Sequence, residues 1–89
     1  MQVLQEIREA IKEQNYRISA HANEEMSEDG LMSSDVEDII LKGKINRKFS
    51  HDPRGTRFEI TGHTQDGRRA FVVCRFLHSK TLPIITAYI

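Results

Sequence analysis

The sequence predicts an α+β domain in which N-terminal helices pack on one face of a four-stranded antiparallel meander. Its 89 residues can form one hydrophobic core and are too few for two, so residues 1–89 are read as a single domain. Residues 1–43 place apolar side chains at helical spacing between capping signals, whereas residues 44–89 alternate as strands do. A run of helices followed by a run of strands is typical of an α+β fold.

The first two helices are indicated by periodicity and by capping residues. Apolar residues recur on one face of the first helix, at Val3, Leu4, Ile7, Ala10 and Ile11. A short extended piece is expected at residues 16–18. Ser19 is a good N-cap for the second helix, and Gly30 can close that helix in a left-handed conformation.

The third helix has the clearest start signal in the chain. Residues 34–37 read Ser-Asp-Val-Glu and match a capping box, in which the side chains of Ser34 and Glu37 each accept a bond from a free backbone N–H. Gly43, which follows Lys42, is expected to end this helix.

Four strands are predicted after the helices, at residues 44–50, 56–64, 69–77 and 82–88. The segment 65–68 contains Asp-Gly between two strand-like runs, which is a strong signal for a β-hairpin. Strand alternation then divides the sheet into two faces.

One predicted face is apolar and the other mixes polar and apolar groups. The apolar face, which the helices would cover, consists of Phe58, Ile60, Ala70, Val72, Cys74, Phe76, Ile85, Ala87 and Ile89. The opposite face consists of Arg57, Glu59, Thr61, His63, Phe71, Val73, Arg75, Ile84, Thr86 and Tyr88. We interpret this second face as a binding surface, because it gathers guanidinium, imidazole, carboxylate and phenol groups; ordinary cross-strand pairing is the alternative.

The charges are sorted between the two halves of the chain. Residues 1–43 contain 4 basic and 10 acidic residues, a balance of −6, and residues 44–89 contain 9 basic and 3 acidic residues, a balance of +6. A net charge of zero therefore conceals a dipolar distribution. This asymmetry indicates a basic working surface with nucleic acid as a leading candidate partner. The alternative is that acidic helices pack on a basic sheet and each half neutralises the other.

Several classes of protein are disfavoured by composition. The longest apolar stretch, residues 70–74, is far too short to span a membrane, and the N-terminus lacks the features of a secretion signal. Cys74 is the only cysteine, so no internal disulfide can form, and its place in the apolar set predicts a buried, inert thiol. These observations favour a cytoplasmic protein. No glycine-rich phosphate loop and no metal-ligand spacing is present, so we expect no cofactor and no metal.

His21 and Glu25 are spaced so that they share one side of the second helix. Such a pair can orient an imidazole or bind a metal, and the helix dipole disfavours an imidazolium in the first helical turn, which would keep the ring available as a base. The alternative is an ordinary exposed helix pair.

Two segments resemble known families. Residues 55–76 and 83–88 resemble the sheet of BrnT toxins of the RelE/ParE-like superfamily, in the Gly-Arg turn at 67–68, the strand ending at Arg75 and the Ile-Thr-Ala at 85–87. The helical segment from Ser19 to Met26, with residues 30–31 and 34–36, is similar to a small bacterial family of unknown function whose signature is His-Ala followed by Arg-Met. Glu25 replaces the arginine of that signature, and Tyr88 replaces an arginine of the BrnT pattern.

The resemblance implies the toxin of a bacterial type II toxin–antitoxin system, and a metal-independent endoribonuclease that acts on mRNA through the substrate's own 2′-hydroxyl. Arg57 and Arg75 would bind the phosphate, because guanidinium groups suit it. His21 or His63 would act as base or acid, and Tyr88 would donate a proton or stack on a base. Further contacts to RNA are expected from Arg47, Lys48, Arg68 and Thr86.

Two other functional hypotheses stay open at this point. The chain could be a non-catalytic antitoxin or RNA-binding module of such a pair, with a cognate partner covering its basic surface. It could also be a homodimer that buries the second sheet face through Phe71, Val73 and Ile84. The position of His21 relative to the sheet decides whether a catalytic set can assemble.

Overall fold

The computed structural model describes residues 3–76 and 81–89 of the chain. The helices are α1 (Val3–Lys12), α2 (Ala20–Asp29) and α3 (Ser33–Lys42), and the strands are β1 (Tyr16–Ile18), β2 (Lys44–Phe49), β3 (Arg57–His63), β4 (Arg69–Arg75) and β5 (Leu82–Tyr88). The α+β class is confirmed. No helix within the described ranges is long and apolar enough to cross a membrane.

The sheet has five strands in the order β1-β5-β4-β3-β2, so the prediction of a purely four-stranded antiparallel meander was wrong in one respect. β2 to β5 form the expected antiparallel meander. β1 adds a fifth strand parallel to β5, with Tyr16 beside Leu82 and Ile18 beside Ile84. A strand of three residues is too short to show an alternation pattern, so the sequence indicated only an extended piece.

The three helices cover one face of the sheet and share a single core with it. The largest fully buried side chains come from both layers: Ile7, Ile11, Val36, Ile39, Ile40, Ile60, Val72, Cys74 and Ile84. Burial of a leucine- or isoleucine-sized side chain stabilises a fold by about 1.5–3 kcal/mol. Cys74 is buried as predicted, and burial raises the pKa of its thiol to about 12, so the thiol is protonated at neutral pH.

A β-bulge in β5 shifts the predicted faces of that strand. Val73 pairs with Thr86, but Cys74 pairs with Ile84, so Ile85 is an extra residue with no partner on β4. Ile84 is therefore fully buried under the helices, where Ile85 had been expected. The expectation that Ile89 joins the core was also wrong, since it is 44% exposed. Ile84 is consequently not part of the face proposed to form a homodimer.

α2 begins and ends as its sequence indicates. Ser19 is the N-cap, and its hydroxyl oxygen accepts a hydrogen bond from the backbone N–H of Ala22 at 3.0 Å. Gly30 closes the helix with φ of 72°, in the left-handed region that glycine adopts without steric cost.

α3 begins earlier than predicted, because Asp35 rather than Glu37 accepts the free backbone N–H at the start of the helix. Met32 is the N-cap, and Asp35 Oδ2 accepts the backbone N–H of Met32 at 2.9 Å. Its other oxygen accepts the backbone N–H of Gln65 at 3.0 Å, which links the start of α3 to the β3–β4 turn. Glu37, expected in that role, instead accepts the hydroxyl of Tyr16 at 2.6 Å.

The hairpin between β3 and β4 is confirmed. Thr64 donates its backbone N–H to Arg68 at 2.8 Å, and Gly67 has a positive φ of 86°. This arrangement is that of a turn followed by a left-handed glycine, which explains the Asp-Gly sequence.

Candidate functional site

The sheet face opposite the helices gathers most of the predicted site residues; it is called the open face below. By strand register it contains Lys44, Arg47, Phe49, Arg57, Glu59, Thr61, His63, Arg69, Phe71, Val73, Arg75, Thr86 and Tyr88. Alternation of side chains along the strands, with the β5 bulge included, places them on one side. The predicted convergence of several basic groups on one face therefore has a geometric basis.

Three predicted site residues lie elsewhere. Lys48 pairs with Phe58, so its position is on the helix side of the edge strand β2. Arg68 lies in the β3–β4 turn. Its Nε is 3.0 Å from Oδ2 of Asp66, and its Nη1 donates a hydrogen bond to the carbonyl of Asp29 at 2.7 Å. His21 is on α2, with 65% of its side chain exposed. The sequence could not place these residues, because their positions depend on a bulge in β2 and on helix packing.

Asp52 binds the two arginines that were predicted to bind phosphate. Arg57 and Arg75 face each other directly across β3 and β4, so their like charges require a counter-ion. Asp52 Oδ2 lies 2.7 Å from Nη1 of Arg75 and 3.2 Å from Nε of Arg57. The contact to Arg57 lacks the alignment of a hydrogen bond. Arg75 also donates to the carbonyl of Gly55 at 3.0 Å, so it anchors the β2–β3 loop.

Asp52 was not identified from the sequence, which assigned residues 51–55 to a turn. The available signal was that it is the only acid among residues 44–58, which contain five basic residues. The hydrogen bond from Arg75, followed by the backbone N–H of Arg54, lowers the pKa of Asp52 to about 2. The carboxylate is therefore ionised throughout the physiological range.

We expect Asp52 to make folding stability depend on acidity. Its pKa is lower in the folded state than its usual value near 4, so its contribution is present above about pH 5 and is lost as the pH falls toward 2. Asp52→Asn should therefore be less stable than wild type at pH 7, and the difference should shrink toward pH 2. Thermal melts at pH 7, 5, 4, 3 and 2 measure this, with the exposed Glu28→Gln as control. A constant difference across the series would contradict the assignment.

Glu59 forms a second cluster near the centre of the open face. It is only 2% exposed. Oε1 accepts hydrogen bonds from Asn46 at 2.8 Å and Arg47 at 3.3 Å, and Oε2 accepts the hydroxyl of Tyr88 at 2.8 Å. Burial alone would raise the pKa of Glu59, but these three donors outweigh it and lower the pKa below its ordinary value.

Tyr88 is a proton donor in this cluster. Burial, the hydrogen bond to Glu59 and the charge of that carboxylate raise the pKa of Tyr88. Its ring stacks on Phe71, with centroids 5.4 Å apart and an interplanar angle of 22°. The phenol is thus held protonated and in one orientation.

His21 lies on α2, which packs beside β5, and its described ion-pair contact is with Glu25 and not with the Glu59 cluster. Its Nε2 is 3.4 Å from Oε1 of Glu25, the helix pair expected from the spacing. The same oxygen accepts the backbone N–H of Ala87 at 3.3 Å, so α2 covers the edge of β5 beside Tyr88. His63 lies at the opposite end of β3 from Arg57. The described contacts therefore join Arg47, Glu59 and Tyr88, and neither histidine takes part in them.

The ion pairs of the described residues stay within each half of the chain. The sheet-half carboxylates Asp52, Glu59 and Asp66 pair with the five arginines Arg47, Arg54, Arg57, Arg68 and Arg75. The helical half contributes only the pair of His21 and Glu25. Ion pairs between the acidic helices and the basic sheet, which the alternative interpretation would need, are therefore absent among the described residues. No group of three metal-ligating side chains occurs in residues 3–76 and 81–89.

The fold and this face define a small α+β protein with a cationic sheet surface. Comparison with protein families matches residues 18–89 to DUF4258, a domain of unknown function. The chain therefore belongs to that family, and the match includes the open face. Comparisons with curated proteins and with solved structures found no match.

Proposed function

We propose that this protein is the RNA-binding toxin component of a bacterial type II toxin–antitoxin pair, acting in the cytoplasm through its open face. The observation that supports this most is the charge of residues 44–89, which is +6 and forms no described ion pair with the acidic helices. A cationic surface attracts polyanions and releases their counter-ions on binding. The resemblance to BrnT and RelE-like toxins supports RNA as the polyanion.

The two central arginines have different roles in this proposal. Arg57 is 37% exposed and its Nε lies 3.2 Å from Asp52, so its exposed guanidinium would contact an RNA phosphate. Arg75 is 11% exposed and is bound to both Asp52 and Gly55, so it positions the loop. Arg57 and Arg47 both lie over the ring of Phe49, at 5.0 and 5.6 Å from its centroid, which limits the freedom of both guanidinium groups.

We expect Arg57→Gln to weaken binding to RNA and to lower its salt dependence. Loss of one phosphate contact should reduce the slope of log K against log salt by about 1, roughly equally for different RNA sequences. Arg57→Lys keeps the charge and should retain most of the slope. The measurement is fluorescence anisotropy with labelled single-stranded RNA at four salt concentrations. Lys12→Gln, an exposed charge loss on α1, is the control; equal slopes for all four proteins would contradict the proposal.

A second candidate function is metal-independent cleavage of mRNA, and the Arg47–Glu59–Tyr88 cluster favours it. A guanidinium, an ionised carboxylate and a protonated phenol on one face can bind an anionic phosphate and exchange a proton with it. His21, Arg57, His63 and Arg75 complete the catalytic set implied by the resemblance, with Thr86 as a further RNA contact. Incubating nuclease-free protein with ribosomes or total RNA in the presence of a chelator tests this. Identical cleavage patterns for wild type and Arg57→Ala would exclude it.

The non-catalytic alternative makes a different prediction in cells. If expression arrests growth and a neighbouring gene product reverses the arrest, the chain is the toxin of the pair. If the two proteins copurify and expression alone is harmless, the chain is an antitoxin-like or RNA-binding module. Light scattering on the isolated chain tests for a homodimer.

A further inference from the structure

A second basic pocket lies at the end of the open face farthest from Asp52. Its volume is about 350 Å³, and it is lined by Lys42, Gly43, Lys44, Thr61, Gly62, His63 and Arg69. The lining contains three permanent cations and an imidazole and no acidic residue. The larger pocket beneath the β2–β3 loop, about 620 Å³, has Asp52 in its wall, so the two differ in electrostatic character.

The cations of the smaller pocket lack carboxylate partners among the residues that the structure describes. Among the described residues, Lys42, Lys44 and Arg69 form no ion pair with a carboxylate. Arg69 donates from Nε to the hydroxyl of Thr61 at 3.2 Å and lies over the ring of Phe71 at 5.4 Å. These contacts orient the guanidinium without cancelling its charge.

The C-terminus of α3 also borders this pocket, and its partial negative charge would repel an anion. Arg8 offsets that charge. It donates from Nε to the carbonyl of Ile40 at 3.0 Å and from Nη2 to the carbonyl of Gly43 at 2.8 Å. The end of the helix is thereby capped by a cation, and the field in the pocket stays positive.

We infer that this pocket binds a phosphate monoester, and that the terminal phosphate of an RNA is its ligand. A monoester carries a charge of about −1.5 to −2 at pH 7, which suits a pocket lined by three cationic residues better than the single charge of a diester. The inference rests on the proposed RNA binding and adds a preference for RNA ends. His63 lies six positions after Arg57 on β3, about 20 Å along the strand, so one bound RNA strand can reach both ends of the open face.

The test compares short RNAs of one sequence that have a 5′-phosphate, a 3′-phosphate or no terminal phosphate. We expect one phosphorylated form to bind wild type about tenfold more tightly than the unphosphorylated form. The double variant Lys42→Gln, Lys44→Gln should lose that preference and still bind RNA. Lys12→Gln should keep it. Circular dichroism melts establish that each variant is folded.

Inorganic phosphate and AMP are titrated in parallel, with NMR detection of backbone amides at residues 42–44 and 61–63. Shifts there with both probes, abolished in the double variant, support the pocket whatever the RNA result. If AMP binds with the same dissociation constant as the phosphorylated RNA, the ligand is a free mononucleotide rather than an RNA end. That result would overturn the assigned ligand. Equal affinity for all three RNAs with no amide shifts would overturn the pocket and leave the proposed RNA binding intact.

Discussion

Gly43→Ala is expected to destabilise the protein by about 3 kcal/mol or more, a large part of the 5–15 kcal/mol that holds a domain folded. A Cβ at this position would lie 2.2 Å from the carbonyl oxygen of Thr61 and 2.4 Å from that of Ile39. Both are backbone atoms, of β3 and of α3, so neither can move without separating the helix from the sheet. Urea unfolding measures the loss, and failure to obtain soluble protein is the stronger form of the same result.

Gly67→Ala is the matched control for Gly43→Ala. Gly67 has a positive φ of 86°, but a Cβ there would meet nothing within 4 Å. Only backbone strain opposes this substitution, which costs about 1 kcal/mol. A Gly43→Ala protein as stable as Gly67→Ala would mean that α3 and β3 do not approach as closely as described.

The local signals in the sequence were sufficient to predict three helices and the meander, although not the first residue of α3. Ser19, Gly30 and Gly67 each satisfy a backbone requirement within a few residues, so their roles could be predicted without tertiary structure. The order of the strands followed from short connections. Side-chain alternation then correctly grouped Arg57, Arg75 and Tyr88 on one face.

The errors came from features that depend on distant parts of the chain. Ile84 lies in the core because the bulge at Ile85 shifts the register of β5 against β4 by one residue. Glu37 left its predicted capping role because the Tyr16 hydroxyl lies within reach of it. Asp52 became the counter-ion of Arg57 and Arg75 only once β3 and β4 brought the two guanidinium groups together. Composition revealed the excess of basic charge but not which arginines have internal partners.

Glu59→Gln should move stability and RNA affinity in opposite directions. The amide retains the size of the carboxylate, but it replaces a charged acceptor of three hydrogen bonds by a neutral one. We expect a loss of about 1–3 kcal/mol in the free energy of unfolding, because Arg47 and Tyr88 lose their charged partner. The same change releases the guanidinium of Arg47 and raises the charge of the open face by one, which should tighten RNA binding severalfold at low salt.

The opposite changes in stability and RNA affinity distinguish an open face that binds RNA from one whose charges only stabilise the sheet. If the cluster only holds the sheet together, Glu59→Gln lowers stability and leaves RNA affinity unchanged or weaker. The control is Glu28→Gln, which makes the same change in net charge at an exposed position on α2 and should alter neither quantity appreciably. Anisotropy titrations and urea melts of the three proteins in one buffer give both quantities. The less stable Glu59→Gln protein will bind RNA more tightly only if, in wild type, the buried carboxylate of Glu59 keeps the guanidinium of Arg47 from binding an external polyanion.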